Sequence, residues 1–204
     1  MRLSVAGAVL LTLCLATPPA VAQTDLYDNG PIFGEGNGWT INFGFAVSDN
    51  FTLNSAATID ELQFGSHLFP GDVLESAEVS ITSQEFGGTS YFDQNVNFTA
   101  SNCFDNSFGF VVCTQTGTFN GPQLNAGTYW LNLSNAVTNT GDPAYWDEND
   151  GRSLASENSV GTIPSESFTI LGTQSSGSTP EPSSLVLFGS GLVGLAGLLR
   201  RKLF

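Results

Sequence analysis

The densest run of side chains able to do chemistry is Gly141 to Gly151, GDPAYWDENDG, with Asp142, Asp147, Glu148, Asn149 and Asp150. Oxygen-only side chains this close together suit a hard cation such as calcium. The run is not an EF-hand: counted from Asp147, Gly151 arrives one place early and Asn158 stands where the twelfth-position Glu belongs. An irregular calcium loop and a solvated acidic turn both fit. Tyr145 and Trp146 in the middle of the run favour packing or binding over pure solvation. A second constellation is aromatic: Trp39, Trp130, Tyr145 and Trp146 could stack on sugar rings, flat faces beside Asn and Asp suiting neutral carbohydrate, or they could serve as core.

Catalytic motifs are thin. The one histidine, His67, sits in a Gly65-Ser66-His67 stretch and reads as structural or surface. There is no GxSxG nucleophile elbow, no HExxH and no GxxxxGK[ST] phosphate loop. A glycosidase needs only two carboxylates across a cleft, which leaves no sequence signature. The expectation is a protein without catalysis, with a polysaccharide hydrolase as a remote alternative. Cys103 and Cys113 enclose a short loop with turn chemistry at Asp105-Asn106-Ser107, so a disulfide clamping a hairpin is expected in an oxidising compartment.

The elements that must position these residues read as strands. From Trp39 to Val47, Trp39, Ile41, Phe43, Phe45 and Val47 alternate with Thr40, Asn42, Gly44 and Ala46, which predicts one strand with five apolar side chains on one face. An Asp49-Asn50 turn then leads to Phe51–Leu53. Leu62 and Phe64 predict a short strand, and Pro70-Gly71-Asp72 a turn. Ala77, Val79 and Ile81 alternate with Glu78, Ser80 and Thr82 before Gly87-Gly88. Further strands are expected at Phe92–Phe98, Phe108–Cys113, Thr128–Leu133 and Phe168–Ile170. About eight short strands with turn signals between them predict an all-β domain, an antiparallel β-sandwich or jelly roll, with a closed barrel as runner-up.

Charge narrows the partners. Between residues 23 and 179 there are 18 carboxylates and one cation, Arg152; 1 − 18 gives −17, against −14 for the whole 204-residue chain. Nothing there can neutralise phosphates, so nucleic acid is excluded as a partner. Divalent cations and neutral glycans remain compatible, and the charge also serves solubility.

Both ends read as targeting segments. Arg2, the apolar Val5–Leu15 and the small-x-small Ala20-Val21-Ala22 make a signal peptide over 1–22, cleaved between Ala22 and Gln23. At the other end, a Ser/Gly linker over 174–179 precedes Pro180-Glu181-Pro182, an apolar run Leu185–Leu199, and the basic Arg200-Arg201-Lys202. A helix over that run spans ~22 Å, short of the ~30 Å hydrocarbon core, so it makes a marginal span unless flanking residues help. The trailing cations place the C-terminus in the cytoplasm.

This ending over 180–204 resembles the PEP-CTERM sorting signal of Gram-negative bacteria. The resemblance implies recognition by an exosortase, a membrane-embedded cysteine transpeptidase. It also implies cleavage near Pro180-Glu181-Pro182, after transient anchoring in the inner membrane, and delivery to the cell surface or exopolysaccharide matrix. The logic is that of a temporary hydrophobic tail. WTINFGFAVSDNFTL, LNAGTYWLNLSNAV, YWDEN and SLASENSVGTIPSESFTILG resemble uncharacterised PEP-CTERM domain proteins, which implies a secreted β-domain over 23–173 without naming an activity. The function expected is an exported surface or matrix protein, with a calcium-assisted carbohydrate-binding module as the alternative.

Overall fold

A computed structural model of the chain describes residues 23–175. The expected signal peptide, its cleavage residue Ala22, Pro180-Glu181-Pro182, the apolar tail and Arg200-Arg201-Lys202 lie outside the described residues.

Every regular element among the described residues is a strand, and every pairing is antiparallel. One sheet has eight strands. Its main path is β1 (Thr24–Asp28), β14 (Phe168–Gln174), β4 (Ala57–Leu68), β11 (Tyr145–Asp147) and β2 (Gly38–Thr40). On the other edge of β4 lie β9 (Gln123–Leu124) and β8 (Val111–Thr118), and β7 (Thr99–Asp105) pairs with β8. The second sheet has six strands: β13 (Gly161–Ile163), β12 (Ala155–Glu157), β3 (Ala46–Leu53), β10 (Gly127–Thr138), β5 (Leu74–Gln84) and β6 (Gly87–Asn97). Side chains of both sheets enter one core: Phe64, Trp146, Phe168 and Ile170 from the first, Phe51, Val79, Ile81, Leu131 and Leu133 from the second. Two antiparallel sheets sharing one apolar layer is the arrangement of a β-sandwich.

Period-two patterning explains why β5 and β10 form. Ala77, Val79 and Ile81 are buried, as are Tyr129, Leu131 and Leu133, and the two rows face each other through the pairs Val79–Leu133 and Ile81–Leu131. Each fully buried aliphatic side chain contributes ~1.5–3 kcal/mol.

The strand expected over Trp39–Val47 does not exist as one element. The chain breaks at Ile41–Phe45, and β2 joins the eight-stranded sheet while β3 joins the six-stranded one. Ile41 stands at the corner: its N–H donates to Ala144 O of one side, and its carbonyl accepts from Ala136 N of the other. Phe43 (φ 56°) and Gly44 (φ 88°) then make a tight turn closed by Phe45 N–H to Asn42 O. Phe43 and Phe45 are therefore exposed at 64 and 40 % instead of sharing a buried face. Asp49-Asn50, expected as a turn, lies inside β3. The Pro70-Gly71-Asp72 turn forms, with Asp72 N–H donating to Phe69 O. Gly87 opens β6, the actual bend falling at Glu85-Phe86. The expected linker begins late, since Gln174 still belongs to β14.

Candidate functional site

By register, Tyr145 of β11 and Val112 of β8 both stand opposite His67 of β4, and Trp146 stands opposite Ser66. Alternation therefore splits the YWDEN run between two faces. Trp146 points inward, fully buried against Phe64 and Phe168, with its indole N–H donated to Ser167 O. Tyr145, His67 and Asp147 take the opposite face, over which residues 30–37 cross.

Asp147 ties that crossing segment to the sheet. Its Oδ2 accepts from Phe33 N–H and its Oδ1 from Gly34 N–H, both at 2.8 Å, and His67 Nε2–H donates to Oδ1 at 2.7 Å. Asp147 is buried at 0 % exposure and His67 at 3 %, while Phe33 stands at the surface. Gly34 is required here, for it has φ 69° and any Cβ would meet the Phe104 ring.

Beside the pair opens a cleft of about 450 Å³, lined by Glu35, Gly36, Asn37, Gly38, His67, Phe108, Phe110, Tyr145 and Glu148. Phe110 packs edge-on against Tyr145 at 5.6 Å and lies 6.0 Å from His67. Phe108 is 66 % exposed at the rim. Asn106 shapes the loop that carries both phenylalanines: its Oδ1 accepts from Phe108 and Phe110 N–H, and its Nδ2 donates to Gly34 O. Glu35 accepts from Ser107 N–H and Oγ–H, and these bonds hold its carboxyl below the ordinary glutamate value. Glu148 Oε2 accepts from Trp39 Nε1–H at 2.9 Å.

The structure does not bring the candidate calcium ligands Asp142, Asp147, Glu148, Asn149 and Asp150 together. Asp147 is consumed by three donors. Asn149 is buried, its Nδ2 donating to Asn29 O and its Oδ1 accepting from Gly151 N–H. Asp142 and Asp150 are exposed, and Glu148 turns to Trp39. Calcium takes six to eight oxygens in one shell, and among the described residues no group of three or more His, Cys, Asp or Glu is set to hold a metal ion.

The four rings do not share one surface, and of the two readings open in the sequence the core one describes Trp146. Trp146 is core. Trp39 is half-buried and packed against the core. Trp130 is half-buried on β10, in the other sheet. Only Tyr145 reaches the cleft, where Phe108 and Phe110 are its partners. The sequence offers His67 as a structural or surface residue without its partner and carries no signal for Glu35; their partners lie 80 and 72 residues away. The Cys103–Cys113 disulfide does form, joining β7 to β8 at the base of the Phe108 loop.

A second polar nucleus lies at the same end of the fold. Asp49, in the core-facing row of β3, accepts from Ser153 Oγ–H and Glu166 N–H, each at 2.8 Å. Burial pushes its carboxyl up to about 7. Glu166 is fully buried, and neither of its side-chain oxygens has a hydrogen-bond partner among the described residues. Burial first, then the nearby Asp49, Glu148 and Asp147, raises it well above the ordinary value.

Comparison with known proteins adds one finding. The family model described as the PEP-CTERM protein-sorting motif matches residues 178–202. No curated protein matches the chain. Such a motif indicates an exported, exosortase-processed protein. The chain is thus a protein that carries a PEP-CTERM sorting motif.

Proposed function

We propose that this protein is an exported component of the cell surface or exopolysaccharide matrix, trimmed at its tail by an exosortase-type enzyme and working without catalysis. The observation that carries this reading is the sorting motif at 178–202, which begins four residues after the last strand ends at Gln174. The disulfide supports an oxidising destination. The strong negative charge supports solubility in a crowded matrix.

The test is the intact mass and cell fraction of the protein in an exosortase-bearing host and in the same host lacking that enzyme. Processing removes the apolar tail in the first host and leaves a full-length, membrane-associated chain in the second. A full-length protein at the surface of both hosts would overturn the reading.

A second reading, a carbohydrate-binding domain, is favoured by the cleft between Phe108 and Tyr145, where aromatic faces stand beside carboxyl groups. Binding of exopolysaccharide in calcium and in chelator tests it, and also tests whether calcium assists.

A further inference from the structure

We propose that the cleft beside His67 binds an amino sugar carrying a free ammonium group, as a unit of a partly deacetylated hexosamine polysaccharide. The inference rests on the carbohydrate-binding reading and goes beyond it by naming the chemistry that the site selects.

Three observations point to a cationic sugar. First, the rim offers ring faces: Phe108 is 66 % exposed, and Phe110 and Tyr145 stand edge to face behind it at 5.6 Å. Such faces hold the apolar side of a pyranose, and their negative π-clouds attract a cation. Second, Glu35 and Glu148 reach the same space from different elements. Each is oriented by a donor, Glu35 by Ser107 and Glu148 by the Trp39 indole. Among the described residues no Lys or Arg lines the cleft, so the two carboxyl groups face it without a Lys or Arg partner from those residues. An anionic uronate would be repelled there, whereas an ammonium is drawn in. Third, the domain as a whole carries 18 carboxylates and one cation between residues 23 and 179. Its long-range field therefore gathers cationic polymer and excludes anionic polymer. The buried His67–Asp147 bond and the Asp147 grip on Phe33 and Gly34 keep the wall rigid, so little ordering cost falls on binding.

The experiment expresses the full coding sequence in an exporting host and uses the protein in the form that host releases. Glucosamine oligomers, N-acetylglucosamine oligomers and glucose oligomers are titrated by calorimetry in low and high salt. The expected result is binding of the glucosamine oligomer alone, weakening severalfold in high salt. Glu35→Gln, Glu148→Gln and Phe108→Ala should each weaken it by about three- to tenfold. Glu35 and Phe108 are exposed, so their variants should keep the wild-type melting temperature. Equal binding of the neutral oligomers would overturn the ammonium assignment and leave a glycan site. Tight binding unaffected by all three variants would overturn the location. Failure to bind any oligomer would overturn the inference and the carbohydrate reading, while the mass measurement on the tail still decides the matrix reading separately.

Discussion

Asp147 shows how one side chain can hold a site together without taking part in recognition. It receives Phe33 N–H, Gly34 N–H and His67 Nε2–H on a carboxyl that is itself fully buried. Asp147→Ala leaves the buried Gly34 N–H and His67 Nε2–H and the part-buried Phe33 N–H unpaired, and a void. Urea denaturation should show a loss of about 3–5 kcal/mol; a loss under 1 kcal/mol would mean the segment over 30–37 is held by something else. Asp49 makes a pH prediction. Its folded value of about 7 lies above the ordinary 3.8, so between those values the native state holds a proton that the unfolded state has released. Unfolding then releases a proton, and stability falls as pH rises from about 4 to about 7. Glu166 acts in the same direction, continuing upward from 4.5. The urea midpoint should be higher at pH 5 than at pH 7.5, and Asp49→Asn should flatten that difference. The comparison with the variant cancels the general relief of charge repulsion in acid; an unchanged slope in Asp49→Asn would refute the assignment. Neither role was legible in the sequence. Asp147 looked like a calcium ligand and Asp49 like a turn residue, because composition along the chain cannot show that three donors from residues 33, 34 and 67 converge on one carboxyl.

Among the elements, legibility followed one physical rule: alternation reports which residues share a face only while the strand stays in one sheet. β5 and β10 stay, and their buried rows were read correctly from Ala77, Val79, Ile81, Tyr129, Leu131 and Leu133. The run from Trp39 to Val47 alternates equally well, yet it crosses between sheets at Ile41, where pairing to Ala144 gives way to pairing to Ala136. The rule also explains Trp146. In a three-residue strand the inward residue is the middle one, and the acidic neighbours Asp147 and Glu148 suggested a surface that only Tyr145 occupies. Strand junctions carry their own prediction. At the register shift between Leu171 and Gly172, a Cβ on Gly172 would meet the Thr58 carbonyl oxygen, a backbone atom of the neighbouring strand. Gly172→Ala should cost about 1–3 kcal/mol in a thermal melt, whereas Gly71→Ala, with open space around its Cβ, should cost less and only through its φ of 94°. The Cys103–Cys113 bridge closes a ten-residue separation, and replacing both by Ser should remove about 2–3 kcal/mol.

For the whole molecule, the decisive quantity is charge density. Eighteen carboxylates against one cation on a domain of about 150 residues make self-repulsion a standing term against compactness. Some of that charge is internal: the Asp49–Glu166 nucleus is buried and raised, so it contributes less negative charge at neutral pH than a count suggests. Asp147 and Glu157 are buried as well; the rest of the charge lies nearer the surface, where dissolved salt screens it. The screening length falls from about 30 Å at 0.01 M to about 10 Å at 0.1 M salt. The melting temperature should therefore rise steadily with sodium chloride. Calcium should do no more than sodium chloride of matched ionic strength, because the run from Asp142 to Asp150 spreads its oxygens over two faces and three hydrogen-bonded partners. A saturable rise at sub-millimolar calcium, absent with matched sodium, would show instead that side chains of that run regroup around an ion. Asp142→Asn and Asp150→Asn, both at exposed positions, would then locate it. A melting temperature indifferent to both salts would mean the surface charges are spaced widely enough for water alone to screen them, and would remove charge as the reason this domain stays dispersed.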